Sequence, residues 1–276
     1  MKVFKVLLCL ILVLLSVAAA TGYVLATPSS GLQESDGDLF DDWDLCRTRA
    51  YGNDGFYQIS ETGFRPAIAF ESLGEHTALA YEMGQQFASK YPDQRQRAEA
   101  IFNFVRDRVT YTPDIDQFSY EEFAQNADEL ALAINEKGVG YGDCEDSAVL
   151  LAIMYKGAGY RSAIAVGEEH TASLVYLPDY RKANAVFEID GESGWVWAEA
   201  TGKNNPLGWA PKDFINVPLA AYEISAEAIT PLKPAPAPSV AITESGDGGS
   251  SSTPFLAFGI IAFLWLIPLF RRRKSR

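Results

Sequence analysis

The sequence predicts an α+β domain, and three observations carry that expectation. Helical apolar patterns fill the first half of its centre, period-two patterns fill the second half, and a glycine-rich turn ending in a cysteine, GVGYGDCED, separates them. Helices first and strands later predict a largely antiparallel sheet. Both ends of the 276-residue chain differ in composition from this centre.

Residues 1–26 begin with Lys2 and Lys5, continue through an apolar run from Val6 to Ala20, and end on small residues before Thr27. That is the layout of a secretory signal peptide cleaved after Ala26, or of an uncleaved signal anchor. Residues 27–90 are expected to form an N-terminal arm and a helix. The arm, 27–60, is polar and turn-rich. The helix is read over Glu75–Ser89, where Leu79, Met83 and Phe87 stand four apart.

A domain is expected over 91–227. Its clearest helix runs from Asp93 to about Val109, with Ala98, Ile101, Phe102, Val105 and Val109 on one stripe and Arg95, Glu99, Arg106 and Asp107 opposite. VTYTP then leaves the helix as an extended piece, and SYEEFAQNADELALAINEKG carries a further short helical pattern. Gly138, Gly140 and Gly142 lead to Asp143, a suitable N-cap, and a helix from Cys144 to Gly157 or Gly159. Its apolar run through Met154 leaves few polar positions, which predicts central burial. RSAIAVG, HTASLVYL, NAVFEI and WVWAEAT follow as strands, with Asp190–Gly194 as a hairpin loop.

Residues 228–253 are rich in Pro, Gly and Ser and read as a stalk. Residues 254–270, PFLAFGIIAFLWLIPLF, read as a transmembrane helix, and 271–276 as a basic cytoplasmic tail. Seventeen residues rise roughly 25 Å, slightly less than a hydrocarbon core of ~30 Å, a mismatch that thinning or snorkelling accommodates. The basic residues at both ends place the domain on the extracytoplasmic side of a cell membrane. The Thr-Pro-Phe motif, apolar stretch and arginine cluster also resemble the C-terminal sorting tails of archaeal surface proteins.

The formal charge is −13, from 23 basic and 36 acidic residues. Residues 1–26 and 271–276 hold seven of the basic residues and no acid, so the middle carries 16 against 36, or −20. Such a balance argues against nucleic acid as a partner. SDGDLFDDWD, at 35–44, lacks the glycine and distal glutamate of an EF-hand and reads as a solvated acidic face. With two histidines and no CxxC, no zinc site or other cofactor is expected.

Cys144 admits three readings: nucleophile, half of a disulfide with Cys46 in an oxidising exterior, or a small core residue. In a first helical turn a thiol faces unpaired amides and the positive end of the helix dipole, which favour the thiolate. Glu145 and Asp146 work against this, although first-turn acids also suit the dipole and can point away. A nucleophilic thiol needs a base, and His170, at the start of a strand, is better placed than His76. Read alone, His170 is a surface histidine at a strand edge, and only its company makes it a base. An orienting acid for the imidazole is offered by Glu199, on the face shared by Trp195 and Trp197; Asp190, at a turn, and Glu188 are weaker, and an edge carboxylate in water is the bland reading.

Taken together, GYGDCEDSAVLLAIMYKGAGY, EEHTASLVYL and WVWAEATG resemble the transglutaminase-like superfamily, as does IFNFVRDRVTYTPD before the nucleophile turn. The similarity covers about 95–215, and its microbial members with a GDCED turn are the nearest in pattern. It implies a papain-like core with Cys144 as nucleophile, His170 as base and Glu199 as orienting acid, where many relatives carry aspartate. It implies a membrane-anchored cysteine peptidase, amidase or protein-glutamine acyltransferase acting on protein or peptide amides. A disulfide at Cys144 would consume that nucleophile. The alternative is a catalytically silent cell-envelope binding or scaffold protein with the same fold. The substrate and oligomeric state do not follow from these residues.

Overall fold

The computed structural model describes residues 31–60, 63–71, 79–167, 170–215, 217, 219–224 and 239–240. The expected signal, the apolar span 254–270 and the basic tail lie outside the described residues, as do His76 and all of the stalk but 239–240. Among the described residues no helix is long and apolar enough to cross a membrane.

The first departure from the sequence reading is at the N-terminus. Residues 33–65, most of them within the polar, turn-rich arm, form a five-stranded sheet whose strands the sequence pattern does not show: β1 (Gln33–Ser35), β2 (Asp38–Phe40), β3 (Cys46–Gly52), β4 (Gly55–Ser60) and β5 (Gly63–Arg65), in that spatial order. β3 and β4 run parallel and the other pairs antiparallel. Charge pairing across the strands is what makes this polar segment regular. Arg47, fully buried, donates to Asp41, to Glu129 at 3.0 Å and to the Ala124 carbonyl at 2.8 Å. Arg49 pairs with Asp38 and Asp54. The acidic 35–44 segment is therefore only partly a solvated face, since Asp41 is 4 % exposed and committed to Arg47.

Six helices are described: α1 (Ala67–Glu71), α2 (Leu79–Lys90), α3 (Gln94–Arg108), α4 (Asp114–Gln117), α5 (Ala127–Lys137) and α6 (Cys144–Gly157). In α3 the predicted stripe is the buried face, and Asp93 caps it by accepting from the Gln96 N–H at 2.8 Å. Helix α5 has a full capping box between Asn126 and Glu129. Its buried Asp128 reaches across to accept the Leu79 and Ala80 N–H groups, satisfying orphan donors at the head of α2. α6 is the central helix, with every residue from Glu145 to Tyr155 buried. It crosses α2 at two glycines: a methyl on Gly84 would lie 2.1 Å from the Met154 carbonyl, and one on Gly157 2.0 Å from that of Tyr81.

The second sheet has the order β10-β11-β9-β8-β12-β13 and is antiparallel throughout. Its strands are β8 (Ser162–Gly167), β9 (His170–Tyr176), β10 (Val186–Ile189), β11 (Glu192–Ala198), β12 (Leu219–Glu223) and β13 (Ser239–Val240). Four match the predicted strands, and β12, which pairs with β8, was not read from the sequence. The β10–β11 connection is a tight Asp190-Gly191 turn, with Glu192 already paired to Ile189, shorter than the expected Asp190–Gly194 loop. One face of the sheet packs on the helices through Ile164, Val175 and Val196. The other, carrying Leu174, Trp195 and Trp197, is covered by Phe214, Ile215 and Val217. Between the two regular regions, β6 (Val109–Tyr111) and β7 (Gly140–Gly142) pair in parallel and aim the chain into the head of α6.

Candidate active site

Antiparallel pairing dictates which acid meets His170. β9 and β11 match Ser173 to Ala198 and Tyr176 to Trp195, so the residue after Ala198 approaches the start of β9. The Asp190-Gly191 turn lies at the far end, which leaves Glu188 and Asp190 away from the imidazole. His170 Nε2 and Glu199 Oε2 are 3.4 Å apart, both largely buried. Glu199 is itself fixed, accepting from the Trp197 indole N–H at 3.1 Å and the Thr201 hydroxyl at 2.9 Å. Burial raises the Glu199 carboxyl, but the His170, Trp197 and Thr201 contacts outweigh it and leave its pKa below the usual glutamate value. The tryptophan face that singled out Glu199 in the sequence thus supplies one of its donors. Phe214 packs on the imidazole, with ring centroids 5.1 Å apart, and does so because Gly167 leaves room; a methyl there would meet the Phe214 ring at 2.6 Å.

Cys144 opens α6 beyond Asp143, the residue in the cap position. Gly142 is required two residues earlier, because a methyl on it would come within 2.5 Å of Asp146 Oδ2. Asp146 is occupied elsewhere: it accepts from the Gln125 N–H at 2.7 Å, the Gln125 side-chain amide at 2.6 Å and the Asp143 N–H at 3.4 Å. This carboxylate locks the loop to the helix. Cys144 and Cys46 are both free thiols, so the Cys46–Cys144 disulfide is not formed; Cys46 is buried in β3 beside Thr48.

Cys144 and His170 line one cleft of about 340 Å³. Ala50, Tyr51, Phe56 and Tyr57 from β3 and β4 line it as well, together with Tyr111 and the acids Glu121, Glu122, Asp143 and Glu145. Thr171 lines it too; its N–H hydrogen-bonds the Cys144 sulfur, and its hydroxyl accepts from Tyr57 at 3.2 Å. A larger hollow of about 540 Å³, lined by Asp93–Arg95 and Tyr176–Tyr180, contains none of the three predicted residues.

The charge around the thiol corrects the sequence expectation. Glu145 turns toward Cys144 instead of away, and Sγ donates to Glu145 Oε2 at 3.2 Å. Burial pushes the thiol pKa well above its ordinary value, the Glu145 and Asp143 carboxylates push it further, and the Thr171 amide opposes them. Burial of the sulfur comes first, with the neighbouring acids second, and both work against the helix dipole.

More acids stand behind these than the sequence suggested. Asp114, Glu122 and Glu145 have carboxylate oxygens within 4.8 Å of one another, as do Asp114, Asp143 and Asp146. Such spacing is close enough for a shared proton or a bound cation. Burial and neighbouring carboxylates raise Asp114 and Glu122 to about 7, and Glu145 and Asp146 well above the carboxylate range. Asp114 and Glu122 escaped the sequence reading because their only signal was acidity in a turn-rich segment.

Residues 81–214 match the family model described as the transglutaminase-like superfamily, and no curated protein matches the chain. The match begins inside α2 and ends at Phe214, so it takes in α3, α6 with Cys144 at its head, β9 with His170 at its start, and Glu199 just beyond β11.

Proposed function

We infer the function from one premise: residues 81–214 are a transglutaminase-like superfamily domain. The proposal is a cysteine hydrolase or acyltransferase acting on protein or peptide amides, with Cys144 as nucleophile, His170 as base and Glu199 as orienting acid. The observation that carries it is the union of Cys144 and His170 in one cleft with Glu199 at the Nε2 of that histidine. Glu199 at Nε2 leaves Nδ1 as the nitrogen that exchanges a proton with the thiol.

In this reading the Cys144 thiol, neutral at rest, gives its proton to His170 as its sulfur attacks the amide carbonyl carbon. The resulting oxyanion is met by the Cys144 amide at the open head of α6. Collapse breaks the C–N bond, and His170 passes the proton to the leaving amine. The thioester then reacts with water, which releases a carboxylic acid and regenerates the thiol, or with a second amine, which yields a new amide. Water makes hydrolysis the preferred outcome, hence a peptidase or amidase. The lysine-led apolar N-terminus and the arginine-flanked apolar C-terminus support a domain tethered on the extracytoplasmic side of a membrane.

A peptide library incubated with the full-length chain tests this, with products sorted by mass into cleaved and cross-linked. Turnover that disappears in Cys144→Ala supports the enzyme. Turnover unchanged in that variant eliminates it. One observation favours the second reading, a catalytically silent binding protein: the Cys144 sulfur donates to Glu145, and burial, followed by the neighbouring acids, pushes the thiol pKa up. That reading predicts no turnover in either chain.

A further inference from the structure

We propose that Tyr57 is a positioning residue for Cys144 and His170, its hydroxyl holding Thr171 at the start of β9 from a strand that lies outside the family match. This adds a residue to the nucleophile-and-base reading above and rests on it. The match covers residues 81–214, and Tyr57 precedes it on β4 of the N-terminal sheet. That sheet nevertheless reaches the thiol, since Tyr57 lines the same cleft as Cys144, His170 and Thr171. The Tyr57 hydroxyl donates to Thr171 Oγ1 at 3.2 Å, across 114 positions of sequence. Thr171 directly follows His170, and its N–H reaches the Cys144 sulfur. Thr171 therefore links the phenol to both members of the reacting pair.

Packing makes the phenol a fixed anchor. Tyr57 is buried, with Phe56 and Phe64 edge-on to its ring at centroid distances of 4.8 and 5.6 Å. Pairing with β3 and β5 holds its strand on both sides. The sheet is in turn tied to the matched residues at Ala124. The Ala124 N–H donates to the Arg47 carbonyl at 2.9 Å, and the Arg47 guanidinium donates to the Ala124 carbonyl at 2.8 Å. Filling space needs only phenylalanine, the residue used at 56 and 64. A buried hydroxyl costs free energy unless it finds a partner, and this one finds it beside the reacting pair.

Strand alternation shows what the bond controls. Along β9, Ala172 and Leu174 pack on the tryptophan face and Val175 on the helix face, so His170 and Thr171 point to opposite sides. His170 lies against Trp197 and Phe214, while Thr171 meets the N-terminal sheet through Tyr57. β8 pairs with β9 along its whole length, but among the described residues β11 pairs with it only from Ser173 to Tyr176. Thr171 is thus held by a strand on one side, and the Tyr57 hydroxyl supplies a second hold. Fixed in this way, the Thr171 N–H stays on the sulfur and favours the thiolate, and His170 keeps its place in the cleft. Without the hydroxyl the start of β9 loosens and the thiolate becomes harder to form.

Tyr57→Phe in the full-length chain tests this. Burial pushes the Tyr57 phenol well above its ordinary range, so the substitution removes a donor and no charge. Iodoacetamide labelling of Cys144 at pH 9, read by mass on its own peptide, is expected to slow about threefold to tenfold, the range of one hydrogen bond. On whichever library peptide the unaltered chain cleaves, kcat should fall by a similar factor with KM unchanged. Thr171→Val removes the acceptor but retains the N–H, and should slow labelling to the same extent. Thr171→Ser keeps an acceptor and should recover most of the rate. Because the hydroxyl acts through Thr171, Tyr57→Phe/Thr171→Val should be no slower than either single variant. Unchanged labelling in Tyr57→Phe overturns the proposal, as do losses that multiply in the double variant, a Ser variant as slow as Val, or a turnover effect confined to KM. Labelling does not depend on turnover, so an unaltered chain that cleaves nothing rejects the enzyme while the labelling series still decides the role of Tyr57.

Discussion

Glu145 fixes the resting state of the sulfur next to it. Its Oε2 accepts from Cys144, and its charge is, after burial, the largest influence raising the thiol. Replacing it with Gln keeps the size and an acceptor but removes an acid whose own pKa burial and Asp143 push up. At a pH where Glu145 is ionised the thiolate then loses a negative neighbour, and the Cys144 pKa should fall. Iodoacetamide labelling at pH 9 is then expected to accelerate about tenfold, the equivalent of one pKa unit. An unchanged rate would mean that burial alone holds the proton. Glu199 acts on the opposite partner. Glu199→Gln keeps an acceptor for Trp197 and Thr201 but removes the charge beside His170, and turnover should drop about 10²–10⁴-fold with substrate binding nearly unchanged. A loss confined to KM would show that Glu199 shapes the cleft and does not orient the imidazole. The sequence exposed Glu199 because an acid among tryptophans is out of place, whereas nothing local distinguished the direction of Glu145. Side-chain direction in a first helical turn is decided by tertiary neighbours, here a buried sulfur on one side and the Asp146–Gln125 lock on the other.

Helices α3 and α6 were legible because their apolar residues recur at helical spacing or fill nearly every position. Strands β8, β9 and β11 were legible from their alternation, Ile164 and Val166 toward the helices and Ala163 and Ala165 toward the other face. The N-terminal sheet was not. Its order comes from Arg47 and Arg49 meeting acids distant in sequence or on other strands, a signal without period. β12 was missed because LAAYE has no alternation, and only pairing with β8 makes it a strand. The close crossing of α2 and α6 was equally hidden, since Gly84 and Gly157 lie 73 positions apart. Gly157→Ala tests that crossing. Its methyl would press on the Tyr81 backbone, which cannot rotate away as a side chain could, so the helices must part. A loss of about 1–3 kcal/mol in urea unfolding is expected, against the gain that alanine usually brings to a helix. A stabilised variant would show that the crossing is looser than drawn.

At the scale of the whole molecule, the net charge of −13 is gathered partly into one place. Pairing of β6 with β7 brings Asp114, Glu122 and the head of α6 together, so acids separated by up to 32 positions share one partly buried site. That arrangement makes the folding equilibrium sensitive to pH, with a sign opposite to that of most carboxylates. An ordinary carboxyl at position 114 releases its proton near 3.8, and the folded chain holds it to about 7. Glu122 moves from 4.5 to about 7 in the same way. Between about 4 and about 7 the folded state binds protons that the unfolded state has lost, so these two groups subtract stability as pH rises and subtract nothing further above about 7. Glu199 works the other way: its pKa is depressed on folding, so its contribution is present above 4.5 and lost as pH falls through its lower folded value. The urea midpoint should therefore decline from about pH 5 to pH 7. Asp114→Asn keeps an acceptor for the Phe123 N–H while removing the titrating group, and should flatten that decline and raise the midpoint at pH 7. A midpoint that climbs over this interval, or a slope unmoved by the substitution, would show that the acids around the thiol are charged and solvated in the folded protein.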